Sequence, residues 1–455
     1  MNERSIFQDM NVLIIGAGDI GFQLAKRLLL EKHNIIIVEK NPHQVKRANE
    51  QLDAMVVEGH GASFRTLKRA QLESADIVAG MTDQDEVNLM ACMMARRVGV
   101  PTTIARVRNP QYTAPDFILK PHDLGVDLVI HPEKETADAV VRLIRQSSAT
   151  DVLEFEGGRI QLLGIRLEQD APILRVPLKE LGQRFGNPPM RIVAINRKQR
   201  TVIPRGEDIL VRGDQIFIIS DPDYIPEFIE LAGKSETRIE NVMILGGGLI
   251  GQFIARRLSR EINVKIIESS AEKSQEIADI LPDTLIIHGD GTDIDLLALE
   301  GITEMDAFIA VTGDDETNII ATLLARHLKV PRTIALVNKV EYMPITPTIG
   351  MDAVVSKQLI TVNAVQRFIR HKQIASINTL PGVDAEIIEF IARPKSKITQ
   401  KPLRKIHFPK QAIIGAVMHN GELIIPRGDT QIQPDDRVLV FMLPQARSEV
   451  EKFFK

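Results

Sequence analysis

The stretch Asn11-Val-Leu-Ile-Ile-Gly16-Ala-Gly18-Asp19-Ile20-Gly21 recurs as Asn241-Val-Met-Ile-Leu-Gly246-Gly-Gly248-Leu249-Ile250-Gly251. In each copy a G-x-G-x-x-G follows a short apolar run, which reads as a buried strand, and opens a segment of helical periodicity. Strand, glycine turn and helix in that order are the setting in which this short pattern marks a dinucleotide-binding turn. The first glycine permits the tight turn and the second lets a pyrophosphate approach the backbone. The third lets the helix pack closely on the sheet. The helix N-terminus then presents free N–H groups and a partial positive charge to phosphates.

The repeat runs on at an offset of 230 residues. Ala25, Arg27 and Leu28 match Ala255, Arg257 and Leu258. Gly59 and Gly61 match Gly289 and Gly291, and the loop Thr82–Asn88 matches Thr312–Asn318. Further on, Pro204-Arg-Gly206 matches Pro426-Arg-Gly428 at an offset of 222. A duplicated unit of this length is far too long for a solenoid repeat. Glu39 and Glu268 end the second strand of each copy. A carboxylate there accepts hydrogen bonds from ribose hydroxyls and repels a 2′-phosphate, which favours NAD(H), ATP or ADP over NADP(H).

Outward from the turn, Ile35–Val38, Ala54–Val57, Asp76–Ala79, Thr103–Val107 and Leu128–Ile130 read as strands. Helical segments Ile20–Leu30, Ser63–Ala70, Glu86–Val98 and Glu133–Arg145 lie between and after them, and Pro42 suits a first helical turn. Strands alternating with helices predict βαβ units and a parallel sheet. After Gln146 the texture changes to short strands at Val152–Phe155, Ile160–Leu167, Ile192–Asn196 and Gln215–Ser220. Turns containing Gly157-Gly158, Gly186-Asn-Pro-Pro189 and Arg212-Gly-Asp214 separate them. The expectation is an α/β chain with two Rossmann-like parallel-sheet domains, residues 10–132 and 238–358. Each is followed by a crossover helix and a small α+β domain, residues 133–232 and 359–455. The polar stretch Ala232–Thr237 reads as the linker between halves.

With 25% charged residues, 44% hydrophobic residues and a net charge of −4, the composition is that of an ordinary globular protein. No basic face suggests nucleic acid. The single Cys92 excludes a disulfide framework and fits a reducing compartment. No apolar run approaches the roughly 18 residues of a membrane span, and Met1–Met10 has no signal-peptide core. Membrane contact is therefore expected only through a partner, with the chain itself cytoplasmic.

The loops Thr82-Asp83-Gln-Asp85-Glu86 and Thr312-Gly313-Asp-Asp315-Glu316 follow the fourth strand, at the carboxyl edge where ligands bind in such sheets. Helix capping is the expected role of their carboxylates, with a cation site as the lesser alternative. Asn88 and Asn318 are poor mid-helix residues and are placed facing the cleft or, equally, within the structure. Arg106 and Arg108 end the fifth strand, where they reach phosphates or, equally, are simply solvated; the second copy has Leu336 and Asn338 instead. His60 and Asp290 follow the third strand, near an adenine position or in a plain surface turn. Cys92, Met90, Met93 and Met94 are expected to be core. No His, Cys or carboxylate spacing suggests a metal, and no nucleophile motif suggests a catalytic residue.

The two glycine turns with their glutamates, the two Thr–Asn loops and the small domains ending in Pro-Arg-Gly together resemble the TrkA family. These are cytoplasmic regulatory subunits of bacterial Trk potassium-uptake systems, with tandem RCK (KTN-type) domains. The resemblance spans both halves. It implies nucleotide contact by Gly16, Gly18, Asp19, Ile20, Gly21, Glu39, His60, Thr82, Asp83 and Arg106 in the first half. Gly246, Gly248, Leu249, Ile250, Gly251, Glu268, Asp290, Thr312 and Gly313 are their counterparts in the second. It also implies NAD(H) or ATP/ADP as ligand and a homo-oligomeric ring, expected to be a tetramer. The ring would gate a membrane-embedded Trk potassium transporter from the inner face of the membrane. Leu336 and His60 depart from the family pattern, so the two sites are expected to differ. The competing readings from the residues alone are an NAD-dependent dehydrogenase and a scaffold that has lost its ligand.

Overall fold

The computed structural model describes residues 10–455 apart from 115, 156–157, 187–188, 199, 235–237, 340, 344, 347–348, 372–376 and 380–382. The readings made at Met1–Asp9, Gly157, Asn187-Pro188 and Ser235–Thr237 lie outside the described residues.

The first sheet is built from β1 (Asn11–Ile15), β2 (Asn34–Glu39), β3 (Met55–Glu58), β4 (Ile77–Gly80), β5 (Thr102–Arg106) and β6 (Leu128–Ile130). All neighbours are parallel, in the order β3-β2-β1-β4-β5-β6. Between and after them come α1 (Asp19–Leu30), α2 (Pro42–Gln51), α3 (Phe64–Arg69), α4 (Asp85–Arg97) and α5 (Pro132–Arg145). The strand order reverses beside β1, so a crevice opens at the carboxyl ends of β1 and β4. β1 and β4 are apolar on both faces because helices cover both. α2 starts as its sequence suggests: Asn41 caps it by accepting from the His43 N–H, and Pro42 opens the first turn.

A five-stranded antiparallel sheet follows, from β7 (Asp151–Phe155), β8 (Ile160–Arg166), β9 (Met190–Arg197), β10 (Arg200–Val202) and β11 (Gln215–Ser220). It carries α6 (Leu178–Arg184) and α7 (Ile225–Leu231). The second copy repeats the parallel sheet as β12 (Asn241–Leu245), β13 (Asn263–Glu268), β14 (Leu285–His288), β15 (Ala307–Ala310), β16 (Arg332–Leu336) and β17 (Ala353–Val355). Its helices are α8 (Leu249–Leu258), α9 (Ala271–Ile280), α10 (Ile294–Leu299), α11 (Asp315–His327) and α12 (Lys357–His371). The last sheet comprises β18 (Ile377–Thr379), β19 (Glu386–Ile391), β20 (Ala412–His419), β21 (Glu422–Ile424) and β22 (Arg437–Met442), before α13 (Arg447–Phe454). Its strand order matches that of the first antiparallel sheet. The two antiparallel sheets share one apolar core, in which Leu162, Val193 and Phe217 meet Ile387, Leu439 and Phe441.

The compact units do not follow the sequence repeats. One contains residues 1–135 and 357–368; the other contains 136–356 and 369–455. Most of α12 thus belongs with the first parallel sheet, where Gln366 donates to Glu31 at 2.6 Å and Lys357 pairs with Glu133 at 3.6 Å. Most of α5 belongs with the second, where Asp138 pairs with Arg257 and Arg145 pairs with Glu261 at 2.8 Å.

Candidate functional site

Gly16 has φ +103° and Gly246 has φ +108°, values that disfavour any side chain. A Cβ on Gly21 would lie 2.0 Å from the Gly16 carbonyl oxygen, and one on Gly251 would lie 2.0 Å from that of Gly246. Both glycines are thus required by packing. Gly18 and Gly248 differ: a Cβ there would meet nothing within 4 Å, so the backbone faces open space. These two residues N-cap α1 and α8 without a side-chain cap, leaving the first-turn N–H groups to an outside acceptor. Ile20 and Ile250 are buried beneath their helices, so only their backbones face the turn, while Leu249 is half-buried. Asp19 is exposed and lies 3.7 Å from Arg47.

The carboxylates at the ends of β2 and β13 are buried and pinned. Glu39 accepts from the Ala17 N–H at 2.6 Å and the Asn41 N–H at 2.8 Å. Glu268 accepts from the Gly247 N–H at 3.0 Å and the Ser270 N–H at 2.9 Å. Each glutamate therefore ties the glycine turn to the end of the second strand. A carboxylate has roughly four acceptor positions; Glu268 also accepts from the Ser269 hydroxyl at 3.3 Å, so two positions remain on Glu39 and one on Glu268 for ribose hydroxyls.

The acidic loops bear out the capping expectation in part: Asp85, Glu86, Asp315 and Glu316 lie in the first turns of α4 and α11, where acidic side chains complement the helix dipole. Gln84, not an acidic residue, occupies the N-cap of α4 and makes no side-chain cap; only Asp314 caps its helix, accepting from the Thr317 N–H at 2.8 Å. Asp85 instead accepts from the Arg108 and Asn109 N–H groups at 2.9 and 2.8 Å, and Asp315 accepts from Asn338 and Lys339 likewise. Glu86 and Glu316 accept from the hydroxyls of Tyr112 and Tyr342. These carboxylates fasten the loop that follows the fifth strand. Among the described residues no group of three or more His, Cys, Asp or Glu could hold a metal ion. Asp83 and Gly313 are exposed at the mouth of the crevice.

Asn88 and Asn318 are fully buried. Asn88 Oδ1 accepts from the Thr82 N–H at 2.9 Å and its hydroxyl at 2.8 Å, while Nδ2 donates to the carbonyls of Thr82 and Arg106. Asn318 repeats this set with Thr312 and Leu336. Each asparagine bolts together the ends of two central strands and does not face the cleft. The sequence signal for this lock was the matched Thr, Asp and Asn in both copies; Tyr112 and Tyr342 share the same offset and were missed.

The copies differ at the fifth strand. Arg106 is only 9% exposed, and its Nη1 donates to the Thr82 carbonyl at 3.2 Å. Its Nε is buried without a hydrogen-bond partner, and burial lowers the guanidinium pKa. Leu336, its counterpart, offers no donor. Arg108 lies 3.5 Å from the buried Glu133. His60 and Asp290 form surface turns, accepting from the N–H groups of Ala62 and Thr292. Cys92 is core, as expected: burial pushes its thiol up to about 12. Met90 and Met93 are not core but exposed, on the side of α4 away from the sheet.

The comparisons with known proteins extend over nearly the whole chain. The TrkA-N domain model matches residues 12–132 and 242–357, and the TrkA-C domain model matches 162–233 and 387–455. The Trk system potassium uptake protein TrkA homolog 1 of Methanosarcina mazei is 35% identical, over 98% of this chain and 100% of its own length. The Trk system potassium uptake protein TrkA of Azorhizobium caulinodans is 34% identical, over 98% and 99%. Among solved structures, the GsuK channel superposes with a TM-score of 0.63 at 20% identity, covering 98% of this chain and 78% of that one. The GsuK RCK domain does so at 0.61 and 20%, covering 98% and 95%. At that identity the likeness shows the fold. Matched in both halves by the TrkA-N and TrkA-C models and over its length by curated relatives, the chain belongs to the TrkA family.

Proposed function

We propose that this chain is a peripheral, non-catalytic regulatory subunit of a potassium-uptake system, binding NAD(H) or ATP/ADP at two Rossmann sites. The observation that carries the reading is the pair of glycine turns at which Gly18 and Gly248 leave the backbone open at an uncapped helix N-terminus. The pyrophosphate would sit on the N–H groups from Gly18 to Gly21 and from Gly248 to Gly251. Ribose hydroxyls would donate to the remaining positions on Glu39 and Glu268. The exposed edge of the Thr82-Asp83 and Thr312-Gly313 loops would flank the ligand, with His60 and Asp290 beside the adenine. The unpartnered Nε of Arg106 fits an anionic oxygen at the first site. This arrangement supports recognition of a nucleotide, and the names of the curated relatives favour the regulatory reading over the dehydrogenase one.

In this proposal the chain is cytoplasmic and attached through a membrane-embedded Trk potassium transporter subunit, in a ring that we propose is a tetramer. Family membership and the names of the curated relatives support the potassium-uptake role. A nucleotide shifts such a ring only by its differential affinity for two shapes; a 100-fold difference supplies about 2.7 kcal/mol. The test is potassium flux through the reconstituted membrane subunit with and without this chain, across ATP, ADP, NAD and NADH. The expected result is a chain-dependent flux that differs between nucleotides. Unchanged flux in every condition overturns the regulatory role, and NADH oxidation with a 2-oxo acid in the purified chain would favour the dehydrogenase.

A further inference from the structure

Glu133, the second residue of α5, is 4% exposed, and both its carboxylate oxygens are buried without a hydrogen-bond partner. Charge holds it instead. Arg108 lies 3.5 Å away, and Lys357, the first residue of α12, lies 3.6 Å away. Arg106 faces it as well: of the charges that offset burial of the Arg106 guanidinium, that of Glu133 acts most strongly. Asp83 and Asp85 contribute less, and both Asp85 oxygens are taken by backbone N–H groups. A buried carboxylate is costly unless cations compensate it. Here Arg106 at the crevice, Arg108 in the loop after β5 and Lys357 on α12 share that task. Compensation by charge without hydrogen bonds is not tied to one partner, so it redistributes when one cation is drawn elsewhere.

The duplication supplies an independent observation. Arg106 is in register with Ile130 in the first sheet, and Leu336 with Val355 in the second. Three residues beyond those partners, Glu133 aligns with Gln358. Arg108 aligns with Asn338 at the offset of 230. Arg106, Arg108 and Glu133 thus have only neutral counterparts, Leu336, Asn338 and Gln358. A glutamate that served only the dipole of α5 would have no reason to differ between the copies together with two arginines. A buried acid and its cations that are present or absent as a set behave as one unit.

We infer that Glu133 is a positioning residue that relays occupation of the first nucleotide site to α12. Without nucleotide its charge is shared among Arg106, Arg108 and Lys357. A phosphate oxygen at the unpartnered Nε of Arg106 competes with Glu133 for that cation. Glu133 then leans more on Arg108 and Lys357, and the first turn of α12 is held more firmly. The second site, with neutral residues at these positions, sends no such signal. The inference rests on the nucleotide-binding reading, and specifically on a phosphate meeting Arg106.

The test is ADP calorimetry on the full chain carrying Gly248→Asp, without divalent metal. Residue 248 has open space for a side chain, and a carboxylate there repels phosphate, so the first site titrates alone. In that background Glu133→Gln, which copies the second half, should tighten ADP binding at least about threefold, because a competitor for Arg106 is gone. Lys357→Met should weaken it by about as much, because Glu133 then leans on Arg106. Both effects should vanish once Arg106→Leu is added, whereas a general change of field around the site would persist. Hydrogen exchange gives the second readout. ADP should slow exchange in the first turn of α12 in the parent and leave it unchanged in Glu133→Gln, although that variant binds ADP more tightly. ADP binding with equal affinity in all these proteins, or slowed exchange in α12 without Glu133, overturns the relay alone. No ADP binding to the unaltered chain overturns the nucleotide reading and the relay with it. Should Glu133→Gln fail to fold, Lys357→Met with and without Arg106→Leu decides: weakening that depends on Arg106 supports the relay, and weakening that does not overturns it.

Discussion

The Glu39 carboxylate is fastened by two backbone N–H groups, so its replacement does more than remove a ribose acceptor. Glu39→Ala leaves the buried Ala17 N–H unsatisfied and loosens the glycine turn. NADH binding to the first site should therefore weaken, and preference for NADH over NADPH should shrink, both read by calorimetry. Equal affinity of the unaltered chain for the two cofactors would remove the case for ribose recognition. Arg106 gives a second prediction. A charge-assisted hydrogen bond contributes about 1.5–3 kcal/mol. Arg106→Leu, which copies Leu336, should thus weaken nucleotide binding at the first site by roughly 10- to 150-fold. Titration of the unaltered chain should resolve two classes of site, and of the variant only weaker ones. A single class of unchanged affinity in both proteins would contradict the role given to Arg106.

The strands around each glycine turn were legible because a buried parallel strand is a short apolar run bounded by turn residues, and the duplication displayed every such run twice. The roles of the polar loop residues were not. Asp85 and Asp315 sit where acidic residues commonly complement a helix dipole, yet their oxygens are taken by the loop after the fifth strand. Sequence spacing along one helix does not reveal an acceptor's partner some 23 residues away. Asn88 was readable as unusual and unreadable as a bolt, since its four hydrogen bonds reach two other segments. Asn88→Ala strands several buried backbone groups, each costing about 1–3 kcal/mol when unsatisfied. The variant should lose at least about 2 kcal/mol in denaturant unfolding, and Asn88→Asp should be no better because it points an acceptor at the Arg106 carbonyl. A loss below 0.5 kcal/mol, the ordinary scatter for a surface change, would show that the bolt does not carry the strand ends.

Across the chain as a whole, charge is buried at the joints between modules as well as at the sites. Asp151 on β7 accepts from the Thr150 hydroxyl and the Gln215 amide, both at 2.8 Å, and faces the charges of Arg332 and Arg166. Burial outweighs these and pushes its carboxyl up to about 6, from 3.8 when exposed. A raised folded-state value favours the protonated form, so this group's contribution is fully present below about pH 4 and is lost as pH rises through about 6. Asp151→Asn should remove that part of the slope in a melting series between pH 4 and 7. An unchanged slope in the variant would show that Asp151 ionises as freely in the folded chain as in the unfolded one. Arg332 beside it also hydrogen-bonds the carbonyls of Leu143 and Ala149, so β16, α5 and the first antiparallel module meet at one buried guanidinium.

The division of the chain into units that ignore the repeat has a consequence for its birth on the ribosome. The first Rossmann unit is complete to Glu135, then waits for Lys357–Phe368, which are made more than 220 residues later. At about 5–20 residues per second, that interval is roughly 10–45 s. For that time the nascent first sheet lacks its final helix and exposes the surface that helix covers, including the Glu31 carboxylate that Gln366 later bonds. A chaperone that shields this face during elongation should therefore raise the yield of folded chain.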